Sequence, residues 1–330
     1  MTLRGSDQQS LNATSTHPAF FQYTLAPVSI EQEPVSMPTP LRPRRSVLYT
    51  PGSNARALEK ARTLAADGFI FDLEDGVAPN AKDAPREQVA RALAIGSYHR
   101  REVLLRVNSP TTAWGHADLA AAARMPIDAV LLPKVECARA VRDAEAALVA
   151  AGAPDHLGIW CMMETPRGVL HAEEIASVGS RVTGLVMGTS DLAKDLRAQH
   201  TRDRSALLMA LQHCLLAARA YGLAILDGVH LDFADDAGFL DACRQGRQLG
   251  FDGKTLIHPK TIAAANTVFA PSSEDVAWSR RIIAAHGEAV TAGSGVVLVD
   301  GKLIENLHVE SARELLALAE AIAALEQGEP

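Results

Sequence analysis

After residue 44 the chain repeats one pattern, in which a short apolar run is followed by a longer segment rich in Ala and Leu. Such alternation is typical of βα units whose strands lie parallel in one sheet. Eight candidate strands occur, at Val47–Tyr49, Gly68–Leu73, Glu102–Val107, Ala129–Leu132, Gly158–Met163, Gly184–Met187, Ala224–Leu226 and Gly253–Ile257. Because eight parallel strands close a barrel, we predict a (β/α)8 TIM barrel of the α/β class.

The alternative fold is an open, doubly wound sheet, which also alternates strands and helices. The first strand is followed by Thr-Pro-Gly-Ser-Asn at 50–54, and this does not match the G-x-G-x-x-G turn of dinucleotide-binding sheets. Helical patterns at 54–66, 86–94, 137–151 and 205–221 supply the right-handed crossovers between parallel strands. The barrel is therefore preferred.

The two ends of the chain depart from this repeat. Residues 1–43 are rich in Ser, Thr, Gln and Pro, which predicts an extended or disordered tail. Residues 44–270 are assigned to the barrel. Residues 271–330 carry further helical patterns at 273–292 and 309–326, more than a barrel requires. We predict that this C-terminal extension packs on its own barrel or completes the site of a neighbouring subunit.

Composition and charge narrow the function classes. A net charge of −7 argues against nucleic acid as a partner, since phosphate binding requires a dense basic face. No apolar run approaches the roughly 18 residues of a membrane span, and the start lacks a secretory signal pattern. The four cysteines form no CxxC pair, so neither zinc nor a disulfide framework is indicated. We expect a soluble protein of the reducing cytoplasm.

Polar residues gather where the predicted strands end, on the rim that holds the chemistry of barrel enzymes. Acids outnumber bases there, and converging carboxylates repel each other unless a cation or proton neutralises them. Glu164 and Asp191 end the fifth and sixth strands, and neighbouring strands lie about 4.8 Å apart. Oxygen ligands favour a hard cation, so we predict that these two residues bind Mg²⁺. The backbone N–H groups of Gly188-Thr189-Ser190 are predicted to hold a substrate carboxylate.

Eight ordered motifs carry a resemblance to a known family. They are RSVLYTPGSN at 45–54, FDLEDGV at 71–77, LLRVNS at 104–109, LLPKVE at 131–136, ETPRG at 164–168, GTSDLAKDL at 188–196, GFDGKTLIHP at 250–259 and DGKLIE at 300–305. Together they resemble the citrate lyase beta-subunit-like family of the HpcH/HpaI aldolase superfamily, which includes malyl-CoA and citramalyl-CoA lyases.

This resemblance implies a barrel of the phosphoenolpyruvate/pyruvate type, Mg²⁺ at Glu164 and Asp191, and a homotrimer or hexamer. Arg106 is expected to contact the reacting carbonyl or enolate oxygen. Glu305, where an Asp is usual, matches the acid/base group of the C-terminal extension, and Glu74 or Asp75 has a weaker expected role in fixing metal-bound water. The oxo acid carboxylate and the CoA thioester path are expected to involve Gly188, Thr189, Ser190, Tyr49, Arg56, Lys60, Ile257 and His258.

The predicted function is that of a Mg²⁺-dependent carbon–carbon lyase. It would cleave the acyl group of a thioester such as malyl-, citramalyl- or citryl-CoA and so yield an acyl-CoA and a 2-oxo acid. In the reverse direction it would form the thioester from these two compounds. Three alternatives stay open. They are thioester hydrolysis, including a malate-synthase-like outcome; a lyase subunit that acts on an acyl-carrier-protein thioester; and an aldolase that uses pyruvate without CoA.

Overall fold

Eight parallel strands form one closed barrel in which each strand pairs with the next along the chain and β8 pairs with β1. The computed structural model describes residues 41–78, 82, 84–96, 98 and 100–328, and these residues belong to one unit spanning Pro40–Pro330. The predicted tail lies outside the described residues, except for 41–43. The TIM-barrel prediction is confirmed.

The strands lie close to their predicted positions. Their bounds are β1 Ser46–Pro51, β2 Gly68–Asp72, β3 Glu102–Arg106, β4 Ala129–Leu132, β5 Gly158–Met163, β6 Val182–Met187, β7 Ala224–Asp227 and β8 Gly253–Leu256. Nearly every residue in them is buried, as expected for parallel strands covered on both faces.

Helices connect the strands and cover the outside of the barrel. Their bounds are α1 Ala55–Ala61, α2 Ala84–Ile95, α3 Gly115–Ala122, α4 Ala138–Ala150, α5 Pro166–Leu170, α6 Ala172–Ala176, α7 Thr189–Asp195, α8 Leu208–Ala220, α9 Asp236–Leu249 and α10 Ile262–Phe269. The first of them is shorter than the predicted 54–66, because Arg62, Thr63 and Leu64 donate to carbonyls three residues back and form turns.

Alternate strand residues point inward and outward, which gives the barrel two apolar layers. Inside, a cluster that includes Ile70, Leu131 and Trp160 fills the barrel, so it is a packed core and not a pore. Gly184 makes room for the indole, since a Cβ there would lie 2.3 Å from the Trp160 ring. Outside, residues such as Phe69 belong to the larger core shared with the helices.

The C-terminal extension consists of α11 Ser273–Thr291, a hairpin of β9 Val297–Val299 and β10 Lys302–Ile304, and α12 Asn306–Glu326. It has a small core of its own around Ile282, Ile304 and Val309. An ion pair of 3.0 Å joins Glu326 of α12 to Arg45 beside β1. Among the helices that the structure describes, none is long and apolar enough to cross a membrane.

The amino ends of the strands form what we call the lower rim, where three arginines each meet a carboxylate. Arg45 donates to both oxygens of Asp67, at 2.8 and 2.9 Å, and both side chains are almost fully buried. Arg44 pairs in the same way with Glu102, whereas Arg42 donates one hydrogen bond to a single oxygen of Asp128. These ion pairs fix the chain at the end of the barrel opposite to the cavity described next.

Candidate active site

The carboxyl ends of the strands, here called the upper rim, surround a cavity of about 380 Å³. Strand ends from all around the barrel contribute to it, because parallel strands finish on the same side. The structure brings together in this lining the predicted residues Tyr49, Arg106, Glu164, Gly188, Thr189, Ser190, Asp191 and Ile257.

Arg106, at the end of β3, is a rigidly held cation of the cavity. Its Nε and Nη2 donate to the two oxygens of Asp72, each at 2.7 Å, and its Cζ lies 4.9 Å from the centre of the Tyr49 ring. Burial alone would lower the pKa of Arg106, but the hydrogen bonds to Asp72 and the nearby negative charges raise it. The guanidinium therefore stays charged with its plane fixed.

Glu74 lies beside this guanidinium. Its Oε2 is 3.1 Å from Arg106 Nη1, but it is buried and has no hydrogen-bond partner among the described residues, since the ion pair is poorly aligned. Burial raises the pKa of Glu74 to about 7, against the opposing effect of Arg106. A carboxyl group with such a pKa is suited to accept or donate a proton near neutral pH.

Lys134 connects the two predicted metal ligands. Its backbone N–H donates to Glu164 Oε1 at 2.7 Å, and its ammonium group lies 3.1 Å from Asp191 Oδ2. The residue has a positive φ of 49°, a conformation that is strained for any residue with a Cβ. Because one residue contacts both carboxylates, Glu164 and Asp191 face the same part of the cavity.

The donor set fits a hard divalent cation. Burial raises the pKa of Glu164 although the nearby charges of Arg106 and Lys134 act to lower it, and Ser190 Oγ is buried without a described partner. A Cβ on Gly188 would lie 2.7 Å from Glu164 Oε2, so the glycine keeps space beside that oxygen. Among the described residues no group of three or more acids, histidines or cysteines is arranged so that together they could hold a metal ion. Two carboxylates are nevertheless enough for Mg²⁺, which keeps water and substrate oxygens as its other ligands.

The predicted carboxylate loop differs from expectation in one respect. The Gly188 N–H donates to the Met163 carbonyl at 3.1 Å, so it is used inside the barrel and does not bind a ligand. Thr189 and Ser190 begin α7, whose first N–H groups lack partners within the helix. Of the three predicted backbone donors, the Gly188 N–H is therefore already used, while those of Thr189 and Ser190 lie in the first turn of α7.

Residues 45–259 match the family HpcH/HpaI aldolase/citrate lyase. The chain belongs to this family. The resemblance in the motifs is therefore confirmed, and the match covers the whole barrel from β1 to the turn after β8.

Two curated relatives are similar over nearly their full length. A (3S)-malyl-CoA thioesterase of Cereibacter sphaeroides is 52% identical over 282 residues, covering 86% of this chain and 96% of that protein. The citrate lyase subunit beta of Escherichia coli K12 is 37% identical over 284 residues, covering 84% and 94%.

Solved structures of this family resemble the chain as well. CitE from Mycobacterium tuberculosis, in complex with magnesium, acetoacetate and coenzyme A, gives a TM-score of 0.68 with 31% identity, covering 83% of this chain and 97% of that one. A citrate lyase beta subunit from the same organism, complexed with oxaloacetate and magnesium, gives a TM-score of 0.60 with 32% identity, covering 69% and 97%.

Five predicted site residues lie outside the cavity lining of the described chain, and one of them is Glu74, beside Arg106. Arg56 and Lys60 are exposed on α1. His258 is exposed, stands 5.5 Å from the Phe233 ring and accepts from the Lys260 N–H. Glu305 is half-buried before α12. Within one chain, therefore, the structure does not bring the expected acid/base group to the cavity.

Two residues of the site lie among the polar strand ends recognisable in the sequence but were not predicted to belong to the site. Asp72 clamps Arg106, and its position at the end of an apolar strand, two residues before Glu74, was the available signal. Lys134 contacts both Glu164 and Asp191, and it does so with a positive φ that no local sequence motif predicts.

Proposed function

We propose that this member of the family is a Mg²⁺-dependent enzyme that hydrolyses the CoA thioester of a hydroxy dicarboxylic acid of the malyl-CoA type. The observation that carries the proposal is the buried guanidinium of Arg106, locked by Asp72 in the same cavity as the carboxylates of Glu164 and Asp191. The 52% identity to a malyl-CoA thioesterase supports hydrolysis as the outcome.

Glu164 and Asp191 would hold the ion, which supplies Lewis-acid charge for the hydroxyl and carboxylate oxygens of the substrate. The free N–H groups at the start of α7, with Ser190 Oγ, bind and orient the acid carboxylate. Arg106 lines the same cavity as Thr189 and Ser190. A substrate whose carboxylate is held at the start of α7 would therefore direct its thioester carbonyl towards Arg106.

Arg106 stabilises the negative charge that develops on the thioester oxygen. Asp72 already fixes its plane, so little reorganisation is needed when the charge appears. Glu74, beside it and with a pKa raised by burial to about 7, takes the proton of the attacking water.

Glu305 would take part in this reaction through the assembly of several subunits. The residue lies on the C-terminal extension, away from its own chain's cavity. In a homotrimer or hexamer, the extension of one subunit would bring Glu305 to the cavity of the next, where it serves as a second acid/base group.

The second candidate is the carbon–carbon lyase reaction. It is favoured by the family and by the 37% identity to citrate lyase subunit beta. Both reactions place negative charge on the thioester oxygen facing Arg106, as an enolate in cleavage and as a tetrahedral oxyanion in hydrolysis. The same binding geometry therefore serves either outcome.

Product analysis separates the candidates. The full-length protein is incubated with malyl-CoA and Mg²⁺, and free thiol and 2-oxo acid are measured in parallel. Hydrolysis releases CoA thiol without a 2-oxo acid, whereas cleavage yields a 2-oxo acid and acetyl-CoA without free thiol. Turnover of free malyl-CoA also counts against a carrier-protein substrate. Absence of both products in the presence of Mg²⁺ would overturn the proposal.

A further inference from the structure

A buried charge cluster of Arg204, Asp227 and Lys254 lies behind the cavity wall, between the barrel and its helices. Asp227 ends β7, and Arg204 Nη1 donates to both of its oxygens at 2.7 and 2.8 Å. Lys254 of β8 donates to Asp227 Oδ2 at 2.8 Å and is 1% exposed. Burial alone would raise the pKa of Asp227, but the two cations lower it, so the carboxylate stays charged.

The cluster makes hydrogen bonds to both backbone polar groups of Gly228, its N–H and its carbonyl. The Gly228 N–H donates to Asp227 Oδ1 at 2.8 Å, and its carbonyl accepts from the Lys254 ammonium. Gly228 in turn presses against the start of α7, since a Cβ there would lie 2.4 Å from Thr189 Oγ1 and 2.7 Å from the Met187 carbonyl. The backbone of Gly228 therefore packs directly against Thr189.

Arg204 extends this support to the chain after α7. It adopts a left-handed backbone, with φ of 52°, and its Nε donates to Gln245 of α9 at 2.6 Å. One side chain therefore connects the α7–α8 segment, β7 and α9. Val229 and Leu231, which follow Gly228, line the cavity directly.

We propose that Arg204, Asp227 and Lys254 are positioning residues for recognition of the substrate carboxylate. They fix the Gly228 peptide against Thr189 and so hold both the first turn of α7 and the 229–231 wall in place. The inference rests on the proposed function, because it takes the acid carboxylate of the thioester as the ligand of that turn.

The lower rim offers a matched control. Asp67 is as buried as Asp227 and also accepts two hydrogen bonds from one arginine, but it lies at the opposite end of the barrel. Asp67→Asn and Asp227→Asn therefore remove the same charge from similar surroundings. Only the second change alters contacts that lead to Thr189.

The experiment compares KM and kcat for malyl-CoA in Asp227→Asn, Lys254→Met and Asp67→Asn. We expect KM to rise about tenfold in the first two with kcat reduced less than about threefold, because ground-state carboxylate binding is weakened. Asp67→Asn should lower the melting temperature and leave KM unchanged. Equal KM values in Asp227→Asn and Asp67→Asn would overturn the inference. Opposite KM changes in Asp227→Asn and Lys254→Met would also overturn it, since they would indicate a purely electrostatic effect.

A second measurement does not depend on turnover. Hydrogen exchange followed by mass spectrometry reports on the amides of 188–192 and 228–231 in the wild type, in Asp67→Asn and in Arg204→Met, which alters a partly accessible loop residue. Both segments should exchange faster in Arg204→Met only. Unchanged exchange would overturn the positioning role. A wild type that does not turn over malyl-CoA would overturn the proposed function and leave the exchange result to decide the positioning role.

Discussion

The two rims of the barrel carry the same kinds of charged residue but differ in the balance between cations and carboxylates. At the lower rim Arg42 and Arg44 each meet one carboxylate at hydrogen-bond distance, and Arg45 meets Asp67 and Glu326. At the upper rim two cations face a larger set of acids, namely Arg106 and Lys134 against Asp72, Glu74, Asp75, Glu164 and Asp191. Matched pairs hold the fold together, whereas the excess of acid stores unfavourable electrostatic energy that a bound cation can relieve.

The largest expected effect is at the upper rim, in Asp191→Ala. Removing one of two proposed metal ligands should lower Mg²⁺-dependent kcat by about a thousandfold or more, equivalent to roughly 4 kcal/mol. The melting temperature in EDTA should not fall, because the change removes an acid from a crowded site. Asp195→Ala, on the exposed side of the same helix, is the control and should keep full activity. Undiminished turnover in Asp191→Ala would place the metal elsewhere.

Arg106→Lys tests whether geometry or charge alone matters at the upper rim. Lysine keeps the charge but lacks the planar fork that Asp72 clamps, so we expect kcat to fall roughly a hundredfold. Arg44→Lys makes the same exchange in the forked pair with Glu102 at the lower rim and should leave kcat unchanged. Steady-state kinetics on both variants checks this. Similar kcat losses in the two would remove the distinction between the rims.

Asp67→Asn tests how much a buried ion pair of the lower rim contributes to the free energy of unfolding. Breaking a buried pair leaves the Arg45 charge poorly compensated, with Glu326 as its other carboxylate partner. The free energy of unfolding should fall by about 3 kcal/mol. Urea denaturation measures the loss, and activity per folded molecule should remain that of the wild type. A loss near zero would show that the lower rim does not depend on this pair.

Glu74→Gln should raise the stability of the protein, whereas Asp67→Asn lowers it, and the gain should appear only as the pH rises. Burial raises the pKa of Glu74 from 4.5 to about 7, so between these values the folded protein holds a proton that the unfolded chain has released. This group therefore destabilises the metal-free protein progressively as the pH rises through that window. Relative to wild type in EDTA, Glu74→Gln should gain about 3 kcal/mol between pH 4 and pH 8, since each pKa unit corresponds to about 1.4 kcal/mol. A pH-independent difference in denaturation would contradict this assignment.

Much of the fold followed from local patterns. The strands and the helices α2, α4, α8 and α11 were predicted within a few residues, because apolar runs and helical periodicity are properties of short segments, whereas α3 and α9 were not predicted. The end of α1 at Ala61 and the start of α12 at Asn306 were not, since turn hydrogen bonds after Ala61 and the cap before Asn306 set those boundaries. Boundaries depend on contacts that periodicity does not encode.

The sequence by itself determined that this chain closes an eight-stranded barrel and that Glu164 and Asp191 follow neighbouring strands on one rim, although Asp191 lies in the first turn of α7 and not at the end of β6. Both conclusions need only the order of elements and the rule that parallel strands finish on the same side. The tertiary structure alone decided that Asp72 clamps Arg106, that Lys134 contacts both proposed ligands, and that Gly228 supports Thr189. These contacts join residues far apart in the chain, and their geometry depends on how the strands and loops pack in three dimensions.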